Sequence, residues 1–123
     1  MAHDILKPTF TRTDARGVLH EILNQGSWES IVGGTMNPGA VMGNHYHKET
    51  LVFFYLLSGS ATVKTIDVAS GARDQFRLEA HQGVLFPVNE THAVRFDEVS
   101  DFLMLKSKQY DPQNPDTFAY PVD

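Results

Sequence analysis

The sequence predicts an all-β fold, a sandwich or barrel of short strands, and three observations lead to it. Short apolar stretches alternate with turn residues along the 123-residue chain, a spacing typical of β-sandwiches and barrels. No stretch of useful length has the apolar periodicity of an amphipathic helix. The length suits one domain, and 41% hydrophobic and 11% aromatic residues are enough to fill one core.

Each strand is expected where an apolar or β-branched stretch lies between two turn signals, which are residues able to adopt conformations that strands exclude. The signals are Gly33-Gly34, Asn37-Pro38-Gly39, Ser58-Gly59, Ala69-Ser70-Gly71 and Asn89-Glu90. The predicted strands are Val18–Leu23, Glu29–Met36, Val41–His47, Leu51–Leu57, Ala61–Val68, Asp74–Leu78, Gly83–Pro87, His92–Phe96 and Phe102–Ser107.

The two ends of the chain differ from its middle. Residues 1–12 are predicted as an N-terminal arm. Residues 109–123 contain three prolines, which favour an extended C-terminal strap over regular structure. Residues 1–123 are thus expected to form a single domain with an arm and a strap.

Composition excludes several classes of function. Ten Lys plus Arg against fifteen Asp plus Glu give a net charge of −5, the wrong sign for a surface that binds nucleic acid. The chain has no cysteine, so any metal must be bound by nitrogen and oxygen. The first residues lack a signal-peptide pattern, and no apolar run reaches membrane-spanning length. We therefore expect a cytoplasmic protein without nucleic-acid or membrane partners.

Three histidines form the candidate site. Side chains alternate between the faces of a strand, so His45 and His47 are predicted to share one face while Tyr46 points the other way. His92 follows a second stretch interrupted by turn residues, GVLFPVNETHAVRF. If the two strands are neighbours in a closed barrel, the three imidazoles converge. An isolated His-x-His pair would instead be typical of a solvated hairpin.

These residues resemble the cupin superfamily, a double-stranded β-helix with a jelly-roll-like barrel. Its first motif is glycine, five residues, His-x-His, three or four residues, glutamate, six residues and glycine. Gly39, His45, His47 and Gly59 match it, but Val52 stands at the glutamate position. The second motif is met loosely by Gly83, Pro87, Asn89 and His92.

Four segments narrow the resemblance to enzymes of nucleotide-sugar metabolism. DARGVLHEI, residues 14–22, resembles the Asp-x-Arg-Gly segment of sugar 3,5-epimerase-like proteins. GNHYHK and YDPQNPDTF resemble segments in the C-terminal cupin domain of capsular polysaccharide synthesis reductases, and HYHK with the later LSGS is similar to 3,4-ketoisomerases. The resemblance implies a sugar-nucleotide-modifying enzyme of polysaccharide biosynthesis, an epimerase or isomerase that moves a proton next to a keto-sugar carbonyl.

Two chemistries remain open for the site. His45, His47 and His92 can bind a divalent ion, zinc first and iron as the alternative, with a coordination position left open. Alternatively, His45 and His92 act as bases without a metal, because neutral imidazole accepts protons near neutral pH. No organic cofactor is expected, and Val52 in place of glutamate predicts weak or optional metal binding.

Other functions and partners are also kept open. A three-histidine iron dioxygenase and a non-catalytic sugar-binding or small-molecule-binding cupin are the alternatives. Arg16, Lys48 and Phe54 are the candidate substrate-binding residues, Arg16 because a guanidinium can pair with phosphate. Glu49 is expected in a solvated turn rather than as a replacement ligand. The all-apolar run Leu51–Leu57 predicts surplus hydrophobic surface and hence a homodimer.

Overall fold

The computed structural model describes residues 3–123, and every regular element in this range is a β-strand, which confirms the all-β prediction. Among these residues no helix has the length and apolar character needed to cross a bilayer. The strands are β1 Phe10–Asp14, β2 Gly17–Glu21, β3 Ser30–Met36, β4 Val41–Tyr46, β5 Val52–Ser58, β6 Ser60–Asp67, β7 Arg73–Glu79, β8 Gln82–Phe86, β9 Glu90–Phe96, β10 Ser100–Lys106 and β11 Phe118–Ala119.

Two antiparallel sheets enclose the core. One has the strand order β3-β10-β5-β8 and the other β11-β4-β9-β6-β7, while β1 and β2 form a separate hairpin. The inward-facing side chains of both sheets meet in one hydrophobic cluster, which accounts for the stability of the barrel. Its buried members are Val52, Phe54, Leu56, Ala61, Val63, Leu78, Val84, Phe86, Val94, Phe96 and Phe102.

The nine predicted strands correspond to β2–β10, and the two that the sequence analysis missed are β1 and β11. Strand β1, FTRTD, is exposed along its whole length, so it lacks the apolar face that marks a strand in a sequence. Strand β11 has only two residues and lies within the predicted strap. The predicted arm overlaps β1 at residues 10–12, and its residues 1 and 2 lie outside the described residues.

Strand β5 is buried on both faces. Val52, Phe54 and Leu56 belong to the core, while Phe53 and Tyr55 on the opposite face are 0% and 1% exposed. The second face is therefore covered within a single chain, and Tyr55 lies with its hydroxyl 3.3 Å from Nδ1 of the His81 ring. Of the run Leu51–Leu57 that predicted surplus apolar surface, residues 52–56 are covered by the chain itself, while Leu51 and Leu57 at its ends are 45% and 39% exposed.

A β-bulge interrupts the pairing of β4 with β9. Gly43 lies opposite Ala93, but the next paired residue, His45, lies opposite His92, so Asn44 is an extra residue. Gly43 and Asn44 both have positive φ, 102° and 60°, the conformation in which bulges place glycine and tolerate asparagine. The extra residue brings His45 directly across from His92, where the two side chains share a face.

We predict that Gly43→Ala lowers the free energy of unfolding by more than about 2 kcal/mol. A Cβ at this position would collide with the carbonyl oxygen of His92 and lie 3.2 Å from Cα of Ala93. Gly39→Ala is the matched control, because Gly39 also has positive φ, 84°, but a Cβ there would meet no atom within 4 Å. Urea unfolding should show a loss of only about 1–2 kcal/mol for the control; equal losses would contradict the close approach of β9.

Candidate functional site

The three predicted histidines lie together at one end of the barrel interior. Each offers a ring nitrogen, and these nitrogens all lie within 4.8 Å of one another. The ring centroids of His45 and His47 are 5.0 Å apart, those of His45 and His92 also 5.0 Å, and those of His47 and His92 5.7 Å. The convergence follows from the register of β4 and β9, with His45 and His92 as direct partners.

A small cavity of about 50 Å³ lies beside these imidazoles. Its wall is largely apolar and comes from both sheets. Val52, at the position of the motif's glutamate, lines this cavity, as does the predicted substrate residue Phe54. The other lining residues are Met42, Gly43, Phe86, Val94, Met104 and Lys106.

The surroundings keep His45 and His92 uncharged. Burial, together with the electrostatic effect of the neighbouring His47 and Lys106 side chains, lowers the pKa of His45 to about 4. Burial lowers the pKa of His92 to about 3, again with help from the neighbouring histidines. An uncharged imidazole has one nitrogen with a free lone pair, the form that accepts a proton or binds a metal ion. Both rings are therefore in the form that binds a ligand at neutral pH, while the same lowered pKa makes each a weaker base than an ordinary histidine.

One ring nitrogen of His92, Nδ1, is buried and makes no close hydrogen bond among the described residues. The His92 ring stacks on Phe86 with centroids 4.2 Å apart. A buried nitrogen of this kind normally has a partner, and the Glu90 backbone is the protein group that acts on this ring, since a hydrogen bond with it favours the charged form of His92. The three ring nitrogens, which lie within 4.8 Å of one another, are of the type that could hold a zinc ion.

Lys106 is a residue of the site that the sequence analysis missed. It ends β10 on the same face as Phe102 and Met104, lies opposite Val52 in the register, and lines the cavity. Alternation along β10 could have identified it, since the residue two positions after an inward-facing methionine also faces inward. A lysine in this place makes the cavity suitable for an oxygen atom that carries negative charge.

A second, more open depression of about 180 Å³ adjoins the cavity and shares His47 and Lys106 with it. Its far side is formed by the strap, including Tyr110 and Asp116, and by Lys108. The two depressions together form a polar mouth leading to a small apolar interior. This shape suits a ligand that inserts one end and leaves the rest outside.

The remaining candidate residues lie elsewhere. Arg16 is on the β1–β2 hairpin, where its side chain is 80% exposed and donates to Asp14 at 2.6 Å; the hairpin's own depression shares no residue with the histidine cavity. The ammonium of Lys48 lies over the Phe118 ring, 4.3 Å from its centroid, outside the cavity lining. Glu49 is exposed in the β4–β5 turn and does not join the histidines.

Comparison with curated proteins gives one relative that bears on this site. The protein named UDP-2-acetamido-2,6-beta-L-arabino-hexul-4-ose reductase from Pseudomonas aeruginosa is 25% identical over 114 residues. The match covers 89% of this chain but only 31% of the relative. The chain therefore spans about a third of the length of the curated relative that it matches.

Solved structures share the fold. The capsular polysaccharide assembling protein CapF from Staphylococcus aureus is 23% identical with a TM-score of 0.72, and the match covers 92% of this chain and 34% of CapF. A dTDP-4-dehydrorhamnose 3,5-epimerase from Sulfolobus tokodaii is 20% identical with a TM-score of 0.77, and the match covers 89% of this chain and 73% of the epimerase. The cupin barrel predicted from the sequence motifs is thus confirmed.

The family assignment rests on a match that spans almost the whole chain. Residues 12–118 match the family described as polysaccharide biosynthesis C-terminal domain. The matched range contains the bulge, the three histidines, Lys106 and most of the strap. The chain therefore belongs to the polysaccharide biosynthesis C-terminal domain family.

Proposed function

We propose that this domain moves a proton at the carbon next to the carbonyl of a nucleotide-linked keto-sugar, as an epimerase or isomerase. The observation that carries the proposal is the joining of three imidazoles, of which half-buried His45 and buried His92 are uncharged, and one lysine in a single small cavity. The named activities of the related proteins, on sugar nucleotides, support the same substrate class.

The proposed chemistry uses a base and a cation. The free nitrogen of His45 or His92 takes the proton from the carbon, and the electrons of the C–H bond move onto the carbonyl oxygen to form an enolate. The ammonium of Lys106 stabilises that negative oxygen, which is the kind of interaction that lowers the barrier most in an apolar site. Returning a proton to the same carbon from the other face gives an epimer. Returning it to the former carbonyl carbon, while the hydroxyl on the deprotonated carbon transfers its proton to the enolate oxygen, gives an isomer.

The size of the site limits how a substrate binds. The cavity of about 50 Å³ is much smaller than the roughly 300–1,000 Å³ of typical ligand pockets. We therefore propose that only the keto end of the sugar enters it. The nucleotide and the diphosphate would extend over the second depression, where Lys108 is half exposed.

A metal ion is proposed as an optional component. His45, His47 and His92 would hold it, because each offers a ring nitrogen and these nitrogens lie within 4.8 Å of one another. A bound zinc or iron ion would supply Lewis-acid polarisation of the carbonyl. Val52 contributes no ligand, and the charge of Lys106 in the same cavity opposes a second cation, so we expect weak binding.

We further propose a cytoplasmic homodimer. The edge strand β3 and the hairpin each carry an exposed large hydrophobic side chain, with Ile31 70% exposed and Val18 60% exposed. Sheet edges and apolar patches of this kind are normally covered by another chain.

Val52→Glu should restore the motif's carboxylate ligand and tighten zinc binding by at least about ten-fold. Val52→Gln is the matched control, because it buries a side chain of the same shape that cannot carry charge. Competition with a chromophoric chelator measures both affinities after each variant has been shown to fold. A folded Val52→Glu protein that binds zinc no better than Val52→Gln would mean that residue 52 is not at a ligand position.

Solvent deuterium should enter a keto-sugar nucleotide at the carbon next to its carbonyl, and His45→Asn or His92→Asn should slow this exchange by about 10²–10⁴-fold. Lys106→Met should slow it as well, because the enolate loses its cation. The reaction is followed by proton NMR on a panel of keto-sugar nucleotides, with and without chelator. Chelator sensitivity separates a ligand from a base.

The control for this experiment is His81→Asn. His81 has φ of 65°, a conformation that asparagine tolerates, and it lies outside the cavity lining. Exchange by the two site variants at the wild-type rate would show that the three histidines are not the catalytic centre. A wild type inactive on every substrate, with iron and oxygen uptake, would support the dioxygenase alternative instead.

Light scattering should give twice the chain mass of 13.8 kDa at micromolar concentration. Ile31→Lys should shift the equilibrium towards the monomer, because it places a charge on the edge strand. Val99→Lys is a suitable control, since Val99 is 57% exposed in the β9–β10 turn and precedes Ser100, which pairs with Met36 at the end of β3 remote from Ile31. A wild type that is monomeric up to the highest soluble concentration would refute the dimer.

A further inference from the structure

We infer that the C-terminal strap, residues 109–123, is a positioning element for the histidine site, and that Asp116 is the residue through which it acts. Asp116 makes two kinds of contact here. Its backbone carbonyl accepts a hydrogen bond from the ring of His47, and its carboxylate accepts hydrogen bonds from the turn that follows His47. Together these contacts select which nitrogen of His47 is available in the cavity. Asp116 lines the second depression and not the histidine cavity, so it acts on the reaction through His47, as a positioning residue.

The carbonyl contact determines the tautomer of His47. Nδ1 of His47 lies 2.6 Å from the backbone oxygen of Asp116, and a carbonyl oxygen can only accept a hydrogen bond. In the neutral ring Nδ1 therefore carries the proton and Nε2 carries the free lone pair. Since Nδ1 is occupied by the strap, Nε2 is the nitrogen that His47 offers to the other two histidines. Such a bond from the second nitrogen is the usual way in which a protein orients a ligating or catalytic histidine.

The carboxylate contact fixes the carbonyl in place. Its two oxygens accept hydrogen bonds from the backbone N–H groups of Lys48, Glu49 and Thr50, at 2.8, 2.8 and 2.9 Å, and from the Thr50 hydroxyl at 2.9 Å. These three residues form the turn that immediately follows His47 and leads into β5. Burial alone would raise the pKa of Asp116, but these hydrogen bonds lower it, so the group is charged at neutral pH.

The geometry makes the two contacts interdependent. Four hydrogen bonds tie the side chain of Asp116 to the turn, and its carbonyl is held at the ring of the residue just before that turn. Further along the strap, Phe118 and Ala119 pair with Tyr46 and His45 on β4. The strap thus follows the His-x-His strand in antiparallel register and passes the ring of His47 on the way.

This inference rests on the proposed function only in treating His47 as part of the working site, and it is tested without any substrate. We expect histidine-¹⁵N NMR at a pH where the rings are neutral to show His47 of the wild type as a single tautomer protonated on Nδ1. Asp116→Ala should convert it to a mixture of tautomers. Asp111→Asn is the matched control in the same strap, because Asp111 accepts only the N–H of Gln113 and Asn114 there, and it should leave the His47 signals unchanged.

The wild-type spectrum alone can overturn the inference, since a His47 protonated on Nε2 would contradict the contact. A folded Asp116→Ala protein with the wild-type tautomer would also overturn it. If Asp116→Ala does not fold, Thr50→Val replaces it, because this change removes one of the four bonds to the carboxylate. Thr50→Val should make the Nδ1–H of His47 exchange faster with solvent, and an unchanged exchange rate would count against the strap. Failure of the deuterium-exchange activity would leave all these outcomes unaffected, so the two proposals fail separately.

Discussion

A one-residue bulge in β4 determines the geometry of the histidine site. If Asn44 were paired with β9 instead of being an extra residue, the register that pairs Gly43 with Ala93 would continue regularly. Asn44 would then lie opposite His92 and His45 opposite Thr91. A shift of one residue moves every later side chain to the other face of a strand, so His45 and His47 would point away from the core. The close approach of Gly43 to the β9 backbone and the positive φ of both bulge residues are what make this local change of register possible.

Further contacts hold the bulge from outside the barrel. The side-chain oxygen of Asn44 accepts the N–H groups of Val122 and Asp123, and its backbone oxygen accepts that of Tyr120. The strap is therefore tied to the strand at two places, at Asn44 before the first histidine and at the turn after the second. A segment without regular structure along most of its length thereby orients the central residues of the site. Its prolines reduce the conformational freedom that is lost when it is held in this way.

The sequence was sufficient for those parts of the site that depend on local signals. Strand alternation predicted the shared face of His45 and His47, and the resemblance to the cupin motifs predicted the third histidine and the place of Val52. The structure has all four residues in one cavity lining. The distance of Arg16 from that cavity could not be predicted, because nothing in its local sequence reveals that its hairpin stands apart from the two sheets.

Contacts between distant parts of the chain were also beyond prediction. Those of Asp116 join residues separated by 66 to 69 positions, through a segment that shows no periodicity. Strand β1 was missed for a related reason, since a strand exposed on both faces carries no hydrophobic pattern. If the bulge brings the histidine rings into one cluster, proton NMR can detect it, because ring centroids 5.0 Å apart predict a nuclear Overhauser effect between the ring protons of His45 and His92. Asn44→Val should weaken or abolish this signal, because a β-branched side chain disfavours the positive φ that residue 44 adopts in the bulge and favours the regular register in which His45 lies opposite Thr91, while the signals between β9 and β6 remain. Its absence in the wild type, or its undiminished strength in a folded Asn44→Val protein, would show that the bulge does not assemble the site.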